Sequence, residues 1–239
     1  MGNEIFEKII MTENKFVSAI IVAAGSASRM NKDKIVLPLG GIPCIGRTLL
    51  AFEKAATVNE IIVVTRKDLI PVIDKIAADF GVTKYVKSVE GGSCRQESAA
   101  LGFNSVSENC QFVAVHDGAR PLITPEEIDG VNEEAFACGS AICCTKVKDT
   151  VKIADKNGFV ETTLPRESLV AVSTPQTFSK EIYSEMVEKF KNDFCRFTDD
   201  SAMAEPLGYN VKLYFCSYSN IKITTPEDAL LAEELLNSK

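Results

Sequence analysis

Apolar and polar positions follow two different periods along this chain, and the switches between them mark its elements. Residues 17–23, Val-Ser-Ala-Ile-Ile-Val-Ala, form a nearly unbroken apolar run of strand length, the pattern of a strand buried on both faces. Helical spacing follows over 46–56, a Val/Ile-rich run over 60–65, a second helical stretch over 69–80 closed by Gly81, and a short strand over 84–89. Residues 112–115 are another compact apolar strand. Thr124-Pro125-Glu126-Glu127 then opens a helix with an N-cap, a proline at the first helical position and an acidic first turn. This alternation predicts an α/β fold of Rossmann-like type, a mostly parallel twisted sheet with helices on both faces.

The rhythm breaks over residues 141–165. Residues 150–154 and 159–163 alternate like strands around Asn157-Gly158, the strongest short hairpin signal. Both strands are poor in apolar residues, so the hairpin is expected to project as an arm over about 148–166. A lone two-stranded hairpin is marginal in water, so the arm is expected to pack on a partner subunit and make the protein a homodimer. A helix over 180–189, a capped segment at 198–201, a strand over 211–215 and a last helix capped by Thr225 with Pro226 behind it complete the chain. The expected organisation is an N-terminal extension over 1–15, forming a short helix or a frayed end, and one domain over 16–239 carrying the arm.

The candidate chemistry lies where strands run into loops. After the first strand, Ala23, Ala24, Gly25, Ser26, Ala27 and Ser28 carry little side-chain bulk, so their backbone N–H groups can approach an anion as a nest of donors. Arg29 and Lys34 add positive charge where a triphosphate would lie. Neither G-x-x-x-x-G-K-[ST] nor G-x-G-x-x-G is present, which excludes two common phosphate motifs. Gly91-Gly92-Ser93-Cys94-Arg95-Gln96-Glu97-Ser98 follows a later strand; Ser93 and Gln96 have the spacing of a capping box, and Arg95 and Ser98 share a helical face. The 112–115 strand delivers His116-Asp117-Gly118-Ala119-Arg120-Pro121 to its carboxyl end, where ligands collect in open α/β sheets.

Composition narrows the options. The chain has 239 residues, 46% of them hydrophobic, and a net charge of −7, which argues against a nucleic-acid or membrane surface. The eight cysteines include no C-x-x-C pair and there is a single histidine, so no zinc spacing exists; free thiols in a reducing cytosol are expected, hence a cytoplasmic protein without a signal peptide or membrane span. One histidine also rules out most Ser-His or Cys-His catalysis unless His116 serves. What remains suits attack by an already ionised phosphate on a nucleoside triphosphate, with Asp117 holding Mg²⁺ and Arg29, Lys34 and Lys222 stabilising the developing charge.

Together, Ala-Ala-Gly-x-x-x-Arg-Met at 23–30 with Lys34, Gly-Gly-x-x-Arg-x-x-Ser at 91–98, Val-His-Asp-x-Ala-Arg-Pro at 115–121, Lys-Asp-Thr at 148–150, Thr-Pro-Gln at 174–176, Thr-Asp at 198–199 and Asn-Ile-Lys-Ile-Thr-x-Pro-Glu-Asp at 220–228 resemble the 2-C-methyl-D-erythritol 4-phosphate cytidylyltransferases. The resemblance covers nearly everything after residue 16. It implies transfer of CMP from CTP to methylerythritol phosphate, with Mg²⁺, by a homodimer joined through the arm. It casts Arg29 and Lys34 as transition-state stabilisers, and Ala23, Ala24, Gly25, Gly92, Ser98, Asp117 and Gly118 as nucleotide-binding, with Asp117 the metal-linked carboxylate. Arg120, Thr150, Arg166, Thr174, Thr198 and Lys222 fall on the polyol-phosphate side; Arg166 and Lys222 would align the attacking phosphate, and Arg166, just past the arm, would reach the neighbour's site. The chain departs from the family pattern at Ala27, Ser93 and Gly118 and has no tryptophan. The alternatives are a ribitol-5-phosphate cytidylyltransferase, a sugar-nucleotide pyrophosphorylase, or a nucleotide-binding regulator without turnover.

Overall fold

A computed structural model describes residues 15–25 and 33–238 of the protein. Residues 1–14, most of the extension expected over 1–15, lie outside the described residues, as do residues 26–32. In chain order the strands are β1 (Val17–Ala23), β2 (Pro38–Leu39), β3 (Ile42–Pro43), β4 (Val58–Thr65), β5 (Tyr85–Glu90), β6 (Phe112–Asp117), β7 (Ser140–Lys146), β8 (Lys152–Ala154), β9 (Val160–Thr163), β10 (Val170–Ser179) and β11 (Lys212–Phe215). The helices are α1 (Cys44–Lys54), α2 (Ile70–Asp79), α3 (Arg95–Phe103), α4 (Pro125–Cys138), α5 (Lys180–Phe190), α6 (Ser201–Ala204) and α7 (Pro226–Asn237).

The central sheet has seven strands in the order β11-β7-β10-β6-β1-β4-β5. Every neighbouring pair is parallel except those of β10, which runs antiparallel to both β6 and β7. Alternate residues of β1 explain the layering. Ala19, Ile21 and Ala23 face a cluster with Ile45, Leu49, Phe52, Ile73, Ile76 and Ile128 from α1, α2 and α4. Ile20 faces the opposite layer, with Ala99, Tyr183, Met186 and Met203 from α3, α5 and α6. Strands covered on both sides need apolar residues at every position, which is why β1 reads as a run and not as an alternation.

Chain direction decides where a site can form. From β1 the sheet grows one way through β4 and β5 and the other way through β6. The β1 and β6 carboxyl ends therefore splay their following loops apart at the switch point, leaving a crevice above Val22 and Asp117, which are paired in the register. The last helix closes the other side. Leu39, Cys44, Leu122, Ile223 and Ala232 form a separate apolar cluster that fastens residues 220–225 beneath α7.

Two expectations change, and residues 170–179, to which the sequence pattern assigns no element, form a strand inside the sheet. The hairpin forms as β8 and β9, exposed along its length and forming its own two-stranded sheet, but its turn is not the two-residue type that Asn157-Gly158 suggests. Only Gly158 has a positive φ, at 87°, and the Asp155 side chain accepts from the N–H groups of Asn157 and Phe159. This is a three-residue loop with a glycine bulge. The Ser93–Gln96 capping box is also absent: α3 begins with Cys94 at its N-cap, so Ser93 donates from both N and Oγ to Glu97 Oε2 at 2.6 Å, while Gln96 turns inward and is 3% exposed.

Candidate active site

The crevice holds two adjoining clefts. The first, about 420 Å³, lies between the loop after β1 and the N-terminus of α3 and includes Ala23, Ala24, Gly25, Lys34, Gly92 and Ser98. The second, about 500 Å³, lies over β10 and the 198–205 segment and includes Arg120, Thr174, Gln176, Thr198 and Asp199. Arg95, Asp117 and Lys222 line both. Six of the seven residues expected on the nucleotide side thus come together around one cleft, and four of the six expected on the polyol side around the other.

Asp117 ends β6 and stands at the wall between the clefts with 9% of its side chain exposed. Its Oδ1 accepts from Arg95 Nε at 2.8 Å; its Oδ2 is met by Lys222 Nζ at 2.9 Å and Arg120 Nε at 3.4 Å. Burial pushes the carboxyl pKa up, but Arg95, Lys222 and Arg120 outweigh burial and hold it far below the usual carboxylate range. The position of Lys222 follows from its neighbours. The Ile223 N–H bonds to Ala119 O at 2.8 Å, and Asn220 Nδ2 donates to Thr174 O at 2.9 Å, so the strap is pinned on both sides of a lysine that turns toward Asp117.

The loop at Gly92 is built by α3. Ser98 Oγ donates to Cys94 O at 2.8 Å and accepts from Gly92 N–H at 3.1 Å, holding the loop against the helix N-terminus. A Cβ at Gly91 would lie 2.4 Å from the Ala24 Cβ, so this glycine allows the two loops to meet.

Some expected residues lie elsewhere. Gly118 does not line the cleft: a Cβ there would come within 2.9 Å of Ile45 Cδ1, and its carbonyl accepts from Thr48 Oγ1, so its small size serves close packing. Thr174 lines the second cleft, yet its hydroxyl accepts from Asp117 N–H at 3.0 Å and bonds His116 Nδ1 at 3.1 Å, which makes it a brace for Asp117. Thr150 is exposed, and Arg166 is exposed with Nη1 on Lys148 O at 3.0 Å; neither lines the clefts of its own chain. Arg29 lies outside the described residues. Sequence reasoning left out Arg95, Gln176 and Asp199 as site residues; the three-residue spacing of Arg95 to Ser98 was the available signal for the first.

His116 is structural. It is fully buried, its Nε2 donates to Arg120 O at 3.3 Å and its Nδ1 accepts from Thr174, so both nitrogens are used. Burial pushes its pKa down to about 3. Unfolded histidine protonates near pH 6.5. Below that pH the unfolded chain takes up a proton that the folded one refuses, so His116 stabilises the fold fully above about pH 6.5 and loses up to ~1.4 kcal/mol per pH unit as pH falls toward 3. Urea unfolding of wild type and His116→Gln between pH 7 and 4.5 should show a shallower slope in the variant; equal slopes would assign the pH dependence to other groups.

Comparison with known proteins supplies the family. The model of "IspD: 2-C-methyl-D-erythritol 4-phosphate cytidylyltransferase" matches residues 17–238. This chain belongs to the 2-C-methyl-D-erythritol 4-phosphate cytidylyltransferase family. Members bearing that name from Dehalococcoides mccartyi and Caldanaerobacter subterraneus are 39% and 41% identical to it, over 93% and 92% of this chain and 97% and 98% of theirs. Among solved structures, the 4-diphosphocytidyl-2C-methyl-D-erythritol synthase of Anaerococcus prevotii superposes with a TM-score of 0.86 at 34% identity, covering 95% of this chain and 99% of that one. The Thermus thermophilus cytidylyltransferase superposes with a TM-score of 0.74 at 29% identity, covering 92% and 98%. The family's α/β sheet is the one described above, and the chain is a nucleotidyltransferase of this family.

Proposed function

We propose that the protein transfers CMP from CTP to 2-C-methyl-D-erythritol 4-phosphate, releasing pyrophosphate, in the non-mevalonate route to isoprenoids. The observation that carries this reading is the shared wall: one carboxylate and two cations, Asp117, Arg95 and Lys222, face an anion-sized loop on one side and a polar cleft on the other. CTP occupies the first cleft with its phosphates over Ala24, Gly25, Gly92 and Lys34. The alcohol phosphate occupies the second, and one of its phosphate oxygens attacks the α-phosphorus as the bond to the β-phosphate breaks. The nucleophile is already ionised, so no general base is required, consistent with a histidine that is buried and neutral.

The residues act by holding charge. Lys34 and Arg29 stabilise the triphosphate, while Lys222 turns between Asp117 and the attacking phosphate. The family implies Mg²⁺. Among the described residues no group of three or more His, Cys, Asp or Glu side chains could hold a metal. Among the described residues Asp117 is nevertheless the one carboxylate lining the first cleft, and Mg²⁺ commonly takes one or two carboxylates together with substrate phosphates and waters, so the donor set fits an ion arriving with the nucleotide. When bound it would neutralise charge on the phosphates. The exposed Phe159, Val160 and Ile153 of the hairpin favour an arm that packs on a second copy of the chain and carries Arg166 and Thr150 toward the partner's polyol cleft. No helix among the described residues is long and apolar enough to cross a membrane, and all eight cysteines are free, which favours a cytoplasmic enzyme.

The test is pyrophosphate release from CTP and Mg²⁺ with each alcohol phosphate in turn. Turnover with methylerythritol phosphate and little with ribitol 5-phosphate is the expected result. Equal rates would overturn the substrate assignment, and CTP binding without turnover would favour a regulator.

A further inference from the structure

The two oxygens of Asp117 are held in different ways. Oδ2 is shared by Lys222, which is 37% exposed, and Arg120, whose Nε contact is long at 3.4 Å. Lys222 is exposed enough to turn toward an incoming anion, whereas Arg120 is also held through Nη1 on Asn220 O at 2.8 Å. Oδ1 accepts from Arg95 Nε, and Arg95 is itself gripped from behind: its Nη1 donates to Asp200 Oδ2 at 2.5 Å. Asp200 is fully buried beneath α3 and α5, and its Oδ1 accepts from the hydroxyl of Tyr183, also fully buried. Arg95 cannot swing to a ligand without leaving a buried carboxylate unpaired, whereas Lys222 faces no such obstacle. A guanidinium can span two carboxylates in this way because its donors are fixed in one plane.

We infer that Arg95 is a positioning residue: clamped between Asp117 and the buried Asp200, it fixes the Asp117 carboxylate so that Oδ2, and not Oδ1, is the oxygen offered to ligands. Asp200 and Tyr183 are its anchor. The Asp117 N–H bond to Thr174 holds the backbone at the same point, so the carboxylate is fixed at both its ends while its free oxygen exchanges partners. The two clefts then see one oxygen in one place, and its exchange from Lys222 to the nucleotide side frees Lys222 for the other substrate. This rests on the cytidylyltransferase reading above.

The test compares Asp200→Asn and Arg95→Lys with wild type. Asp200→Asn keeps the shape but removes the anchoring charge; Arg95→Lys keeps the charge but cannot bridge two carboxylates. Both are expected to lower kcat by ~10-fold or more while the KM for methylerythritol phosphate stays within about threefold, as misplacement of a reacting group does. Calorimetric titration of CTP with and without Mg²⁺ gives a second reading: the gain in CTP affinity that Mg²⁺ brings should shrink by ~10-fold in both variants. Folded variants with unchanged kcat and an unchanged Mg²⁺-dependent gain would overturn the inference, and so would a lowered melting temperature with both constants unaltered. Should Asp200→Asn fail to fold, Arg95→Lys decides alone. Should the wild type show no turnover, the functional reading falls, and the calorimetric comparison still decides the role of Arg95.

Discussion

Replacing Asp117 with asparagine is expected to lower turnover by ~10³-fold, the scale of losing a preorganised charge in a transition-state site. The variant keeps the shape and the backbone bond to Thr174 but removes the negative charge at the point where the two clefts meet. Lys222 and Arg120 lose the carboxylate they share, and Arg95 is left with Asp200 alone of its two ion-pair partners described above. Arg95 and Arg120 are mostly buried, so their repulsion is poorly screened, whereas Lys222 is exposed enough to relax into solvent. Stability should therefore fall too, by about 3 kcal/mol, within the range for removing one partner of a buried pair. The depressed pKa of Asp117 gives the same loss a pH dependence: its stabilisation is fully present above the ordinary carboxylate range and fades only as pH falls through it and below. Pyrophosphate release and urea unfolding at neutral pH measure both effects. A variant with near-normal turnover would remove Asp117 from the reaction, whatever its stability.

Lys34→Ala is expected to lower turnover by ~10²-fold with little effect on folding. Lys34 faces the first cleft, while the next residue, Ile35, is buried in the core and its carbonyl accepts from Ile45 N–H at 2.9 Å, so the backbone at this point is held without the lysine side chain. The variant also serves to probe the arm. If Arg166 completes the neighbour's site, Lys34→Ala and Arg166→Ala are each inactive alone, yet half of randomly mixed dimers carry one intact site of two, so the mixture should recover about a quarter of wild-type turnover. No recovery on mixing would place Arg166 outside the partner's site, and unchanged activity of Lys34→Ala would remove that residue from the mechanism.

What the sequence made legible follows physical rules that act locally. The buried run of β1, the helix opened by Thr124-Pro125-Glu126-Glu127, and the strand that delivers Asp117 depend on side chains near one another in the chain, and each formed as expected, the strand running two residues past 115. The misses have identifiable causes. Residues 170–179 contain Pro175, which argues against a central strand because it cannot donate to the ladder; β10 accommodates it at the irregularity between Val172 and Gln176, where pairing with β7 is interrupted. Residues 140–146 sit next to the hairpin signal, which drew the reading toward an arm and away from β7. Arg95 looked like one polar residue of a helical face. Its role depends on Asp117 and Asp200, which lie 22 and 105 residues away along the chain, and no local spacing encodes that meeting. Gly118, which the resemblance casts as nucleotide-binding, instead shows a packing reason for its identity, because the space a Cβ would take is filled by Ile45, Ala23 and Ile21.

The wall common to the two clefts also bears on inhibition. Arg95, Asp117 and Lys222 are lining residues of both, so the clefts open on each other across a few side chains and not through separate mouths. A cytidine joined to a polyol through a pyrophosphate bridge is the product of the transfer proposed above, and it would meet both clefts while displacing Lys222 from Asp117 only once. Its second half stays at an effective concentration set by the bridge, of millimolar order for a short flexible link, so the joined product is expected to inhibit more strongly than either half alone.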